Sequence, residues 1–212
     1  AASTLAFPLV GGAQQAALKI GVLHPVTGAL AFSGQQCREG ALLAIDDLNR
    51  AGGLKALGGA RIEPVLGDAQ SQPQVGAAEI EKMNEAGVAS VLGAYASAIC
   101  LATTQAAAKH NLPHVVDVGV ADQIVERGLK NTFRFGPGYG VCAQIAVINL
   151  HVLNSVAGKP AKTVMIIHEE SLFGTGPANL LARELPGYGF SVAEVIKHAN
   201  PTRDFNNIVL RM

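Results

Sequence analysis

In the stretch VLGAYASAIC, residues 91–100, a single hydroxyl, Ser97, stands among small apolar residues where a strand gives way to a helix-like run. A helix N-terminus carries unpaired amides and a partial positive charge, which together make a seat for a carboxylate. Alanines at Ala94, Ala96 and Ala98 would let a ligand approach that backbone closely. The same hydroxyl could equally cap its own helix and need nothing from outside. The other polar residues at comparable strand ends are His24, Thr27, Asp117, Glu169 and Glu170. His24, beside Pro25, reads as well as a turn residue as a ligand contact. Glu169 and Glu170 are adjacent, so they point apart and read as a solvated strand end rather than an acid–base pair.

These residues do not assemble into an enzyme. Ser97 lies between alanines and lacks the GxSxG of a nucleophile elbow. GPGYG, residues 136–140, has neither the spacing nor the downstream acid of a dinucleotide fingerprint, and no Walker sequence occurs. Cys37, Cys100 and Cys142 show no CxxC spacing and have too few neighbouring histidines for a zinc site. They read as small buried thiols on helices, and an odd count permits at most one internal disulfide. No cofactor and no metal is expected.

The elements that must position Ser97 follow from periodicity. Residues 18–23 form a β-rich run, then the turn HPVTGALAFSG leads to a helix whose start is marked by Ser33 and Gln36, at capping-box spacing. Cys37, Ala41, Ala44, Ile45 and Leu48 share one face of it, and Gly52 and Gly53 end it. ARIEPVLGD is the next strand, and Pro64 within it, unable to donate a ladder bond, marks a sheet edge. Pro73 opens a second helix with Ala77, Ile80 and Met83 on its buried side and Gly87 as its stop. A strand at 89–92, a helix at 97–110, a strand at 114–118 and the strand-like NTFRF continue the series. Beyond GPGYG come a long helix near 139–156, the strand TVMIIH, a helix near 175–185, the strand SVAEVIK and the beginning of another helix, DFNNIVLRM.

Strands alternating with helices predict an α/β fold of parallel sheets with helices on both faces. The Gly/Pro-rich segment 135–140 divides it into a first lobe, 18–134, and a second lobe, 135–212, whose repeat count is short. With 212 residues, 49% of them hydrophobic, the chain can bury a substantial core. Its formal net charge of +0 and lack of basic runs argue against nucleic acid or an anionic membrane as partner. Residues 1–17 differ from the rest: an apolar stretch, then Gly, Gln and Ala, with no charge before Lys19. This pattern fits either the back half of a secretory signal peptide or a disordered leader.

The run KIGVLHPVTGALAFSGQQCREGALLAIDDLNRAGG resembles the opening of type I periplasmic solute-binding proteins of ABC importers, in the branched-chain and hydrophobic amino acid (Leu/Ile/Val-binding) group. DAQSQPQVGAAEIEKM, VLGAYASAICLA, ADQIVERG and FR continue the likeness in order, and HEESLFGTG and RDF extend it into the second lobe. The resemblance implies a two-lobed monomer without enzymatic activity, which closes by a hinge on a small-molecule solute in the periplasm and hands it to an inner-membrane ABC permease. Members are generally longer than this chain, so the second lobe is expected to be incomplete. A ligand-sensing domain of the same fold, an amide sensor or receptor ectodomain, is the alternative.

Carried over by position, the resemblance gives Ser97 the ligand carboxylate, with Tyr95, Ala96 and Ala98 beside it. It gives the backbone of 118–120, including Val118 and Val120, the ligand's polar groups, and makes Phe173 an aromatic cover from the second lobe. His24 joins as a candidate contact. Two positions depart from amino-acid binders, which often have a threonine where Val120 stands and an acidic partner for the ligand ammonium where Thr202 stands. A buried ammonium lacking such a partner costs several kcal/mol. The expected solute is therefore a carboxylate with an apolar or aromatic body and no obligatory amine, such as an aromatic or 2-oxo acid. Glu169, Glu170 and Asp117 remain as substitutes that would readmit a branched-chain amino acid.

Overall fold

A computed structural model describes residues 16–199 and 202–211. The leader read over 1–17 thus falls almost wholly outside the described residues. Five strands, β1 (Leu18–His24), β2 (Ile62–Asp68), β3 (Ser90–Gly93), β4 (His114–Val116) and β5 (Thr132–Arg134), form one parallel sheet in the order β2-β1-β3-β4-β5. β6 (Thr163–Glu169) and β7 (Ser191–His198) form a second parallel pair. Pro64 does lie on an edge strand, β2, which among the described residues pairs with β1 alone.

The chain leaves β1 toward one edge and leaves β2 toward the other. Right-handed crossovers then put α1 (Ala31–Arg50) on one face and α2 (Pro73–Glu85) and α3 (Ser97–Lys109) on the other. Side chains confirm the division. Leu23, Val91 and Val116 join Ile80 and Met83 of α2 and Ile99 of α3 in one buried cluster. Val22 and His24 are fully buried but, by strand alternation, face α1. The strand order reverses between β1 and β3, and at such a switch point the following loops diverge and leave a crevice.

Helix starts differ from the sequence reading at α1 and at α6. α1 begins at Ala31, so Ser33 and Gln36 lie inside the helix and form no capping box. The Leu30 amide donates instead to Ser71 Oγ, 3.0 Å away in the β2–α2 loop. Of the face assigned to this helix, Ile45 is buried, but Ala44 and Leu48 are exposed. α4 (Gln123–Glu126) is a short helix that the periodicity does not reveal. α6 (Leu172–Glu184) starts before the expected Thr175 because Ser171 caps it, accepting from the Phe173 amide at 3.1 Å.

α5 (Tyr139–Val156) is long and apolar enough to cross a membrane by length and composition. In this fold it buries Tyr139, Ala143 and Val147, the last packed with Ala178 and Ile166 in the core of the second lobe. α7 (Asn206–Val209) is a single turn. The passage between lobes is fastened to the first one. The Tyr139 amide donates to Val120 O at 2.8 Å, and the Gly140 amide to Asp122 Oδ2 at 2.9 Å.

Candidate functional site

A cavity of about 460 Å³ opens at the carboxyl ends of the strands, in the size range of small-molecule sites. Its floor is the β3–α3 junction, Tyr95 to Ile99. One wall is Val118 and Val120 after β4, another is Leu30, Ser71 and Pro73 from the loops after β1 and β2. The second lobe closes it with Glu169, Ser171 and Phe173.

The floor is shaped by backbone geometry. Gly93 ends β3 at φ +138°, and a Cβ there would fall 1.9 Å from the carbonyl oxygen of Leu23, so no side chain fits. Tyr95 follows with φ 64°, turning the chain into α3. Ala96 is the N-cap and offers no side-chain bond. Within α3, Cys100 is the first residue whose amide finds a carbonyl, that of Ala96 at 2.9 Å. The amides of Ser97, Ala98 and Ile99 have no acceptor among the described residues, as a helix start requires.

Ser97 does something other than either role read from its sequence position. Its side chain makes no cap bond within α3. Its Oγ accepts from the Val120 and Ala121 amides, both at 3.2 Å, and the residue is buried. A serine oxygen has two acceptor positions and one donor hydrogen. With both acceptor positions used, only the O–H is left to give. The floor therefore presents one hydroxyl donor and three amide donors, an arrangement that matches an anion.

The opposite wall carries the reverse polarity. Glu169 ends β6, and its carboxylate accepts from the Ser171 amide at 2.7 Å and from the Ser171 hydroxyl. That second bond and the cap on Phe173 tie Glu169 to the start of α6, where Phe173 remains 57% exposed at the cavity mouth. Below, Asp68 organises the loops after β1 and β2. Burial works against its charge, but the Thr27 hydroxyl at 2.6 Å and the amides of Gln70, Val26 and Thr27 outweigh it and hold the carboxyl below its usual range.

Eight of the residues read from sequence thus line one cavity: Tyr95, Ala96, Ser97, Ala98, Val118, Val120, Phe173 and, as a substitute acidic partner, Glu169. Thr202 does not line it, since its hydroxyl donates to Ala199 O after β7. His24 does not line it either, being fully buried beneath β3 with Nε2 3.4 Å from Asp117. Burial lowers the His24 pKa against the pull of Asp117. Glu170 is also absent from the lining. Leu30, Ser71, Pro73, Ile99 and Ser171 complete the lining, and no sequence motif marks them as contacts. Ser71 could have been found only by seeing that α1 lacks a cap of its own. Cys37, Cys100 and Cys142 are all free, half-buried, buried and exposed respectively, so Cys142 is not the buried thiol expected of it.

A two-lobed α/β architecture with a cleft at the strand ends is shared with solved solute-binding proteins. The branched-chain amino acid transporter substrate binding protein LivJ from Streptococcus pneumoniae, in complex with isoleucine, matches with TM-score 0.78 at 24% identity, over 92% of this chain and 53% of that one. A solute binding protein of an ABC transporter from Rhodopseudomonas palustris, in complex with benzoate, matches with TM-score 0.78 at 21% identity, over 92% and 52%. The chain belongs to the periplasmic binding protein family, whose sequence profile it matches over residues 17–212. It is 30% identical over 200 residues to Leu/Ile/Val-binding protein homolog 8 of Brucella abortus (strain 2308), covering 92% of this chain and 48% of the relative. It is 29% identical over 213 residues to homolog 7 of Brucella melitensis biotype 1, covering 99% and 53%. The chain spans about half the length of the curated relatives it matches.

Proposed function

We propose that this chain forms the solute-gripping part of a periplasmic binding protein that delivers a small hydrophobic carboxylate to an ABC permease. The observation that carries this reading is the donor polarity of the cavity floor. The Ser97 hydroxyl, both its acceptor positions occupied, stands beside three free amides at the head of a 13-residue helix. An α-carboxylate set there would place the solute's apolar body along Val118, Val120 and Phe173.

Glu169 decides which carboxylate fits best. It supplies the acidic partner that Thr202 does not, so a zwitterion with an apolar side chain has a group for each of its charges. A branched-chain amino acid is the leading solute. An aromatic acid is the second reading, favoured by a Val118–Val120 wall that offers no side-chain acceptor for an ammonium. Capture proceeds by closure about residues 135–140, which buries the solute between lobes and favours the closed form by its contacts with both. No covalent step is involved.

Isothermal titration of the full-length protein with leucine and with benzoate tests this, using wild type and Glu169→Gln. For an amino-acid binder the variant loses about 10–100-fold in leucine affinity, the range of a lost charged hydrogen bond. For an aromatic-acid binder the same change leaves benzoate affinity equal or tighter, because a repelling carboxylate is gone. A protein that binds neither class of carboxylate overturns the assignment.

A further inference from the structure

A second constellation lies under the cavity, on the α1 face of the sheet. His24 ends β1, Cys37 sits two turns into α1, and Asp117 follows β4. One ring nitrogen, the thiol sulfur and a carboxylate oxygen from these three lie within 4.8 Å of one another. β3, the strand between β1 and β4, ends there in Gly93, where an added Cβ would strike the Leu23 carbonyl oxygen and lie 3.6 Å from His24 Cε1.

His24 gives the independent sign that something is held there. Its side chain is 0% exposed, and neither Nδ1 nor Nε2 has a hydrogen-bond partner among the described residues. A buried imidazole without partners carries a desolvation penalty that folded proteins rarely leave uncompensated. The 3.4 Å approach of Nε2 to Asp117 Oδ2 falls short of hydrogen-bond geometry, yet it directs the ring at the cluster. The neighbouring cation, Arg38, is turned away to donate to Gly67 O.

We propose that His24, Cys37 and Asp117 form a binding site for a divalent transition metal of borderline softness, zinc being the best match to the donor set. Imidazole, thiolate and carboxylate are the three ligand types zinc uses, and three protein ligands leave a fourth position for water. One thiolate and one carboxylate balance the two positive charges. Binding converts the thiol to a metal-bound thiolate and releases its proton to solvent. The ion ties β1, α1 and β4 together one residue before the Val118 wall, so it stiffens the solute site without touching the solute.

Cobalt(II) titration of the full chain reports the ligands directly, in a Cys142→Ser background that removes the exposed thiol. The expected result is one ion per chain, with thiolate-to-cobalt charge-transfer absorption in the near ultraviolet and visible bands of tetrahedral intensity, both abolished by added zinc. Cys37→Ser removes the charge-transfer band. Asp117→Asn weakens binding at least about 100-fold, beyond the 10–100-fold cost of losing an outer-shell partner. Zinc also raises the melting temperature of wild type, with the logarithm of free zinc once the site is filled, and this gain disappears in Cys37→Ser. A folded wild-type protein without the charge-transfer band overturns the proposal, and so does a band that survives Cys37→Ser.

Discussion

Ser97 joins the two halves of the solute site, because the oxygen that directs its proton at the cavity also anchors the 118–121 loop. Ser97→Ala should therefore produce two separable losses. The Val120 and Ala121 amides lose their acceptor, and the Ala121 residue is fully buried, so stability should fall by about 1–3 kcal/mol. The donor to the solute carboxylate vanishes as well, weakening binding about 10–100-fold. Urea unfolding and calorimetric titration on the same variant measure the two. Unchanged unfolding would show that the loop does not depend on this hydroxyl, and unchanged affinity would remove Ser97 from the carboxylate seat. Its position before a helix was legible in the sequence; its use was not. Whether a hydroxyl caps, binds or braces depends on what lies across from it, and Val120 is 23 residues away. Glu169 was undervalued for a related reason. Adjacent glutamates do diverge, but divergence sends one of them, Glu169, to the cavity and leaves only Glu170 as the solvated neighbour.

At the scale of elements, the longer strands and helices are recoverable because they follow local periodicity, while the four-residue α4 is too short to show one and the bracing at the start of α1 comes from a distant loop. Leu30, the residue before α1, has its amide held by Ser71, 41 residues distant, which no local pattern encodes. The His24–Cys37–Asp117 cluster leaves no metal-ligand spacing in the sequence for the same reason, since three separate elements contribute one group each. The packing of α3 on β4 carries its own prediction. His114 is fully buried, its Nε2 donates to Gly93 O at 3.1 Å, and burial pushes its pKa down to about 4. In the unfolded chain the ring titrates near 6.5, so between those values the unfolded state binds more protons. The contribution is fully present above pH ~6.5 and is lost as pH falls toward 4, to a total on the order of 3 kcal/mol. His24, also lowered by burial, acts in the same direction. Urea midpoints measured at pH 7.5 and pH 4.5 should differ accordingly, and His114→Asn, which keeps a donor without the titration, should narrow the difference. Equal narrowing in the exposed control His151→Asn would remove His114 as the cause.

For the whole molecule the two lobes are unequally furnished. The first has a five-stranded sheet with helices on both faces, though α1 covers only its β1–β2 side. Beyond α1, Val115 and Phe133 face solvent at 36% and 54% exposure, and Phe135 at the crossing reaches 91%. The second has two strands among the described residues, and α5 presents Val141, Ile145, Val152, Leu153 and Val156 to water. Such patches exceed the scattered apolar residues of an ordinary monomer surface and mark places that another surface covers. Among the described residues β5 pairs with β4 alone, without the proline that guards β2 at the other side, and unguarded edges pair with whatever strand is offered. The 212-residue chain expressed alone should therefore self-associate through these surfaces, although its family resemblance implies a monomer for the longer protein. Sedimentation velocity over a hundredfold concentration range should show a weight-average mass that rises with concentration. Phe133→Lys, placing a charge on that face next to the β5 edge, should lower the association without altering the Ser97 floor on the far side of the sheet. A chain that sediments as a monomer throughout and melts cooperatively at high temperature would show that these faces are stable in water as they stand.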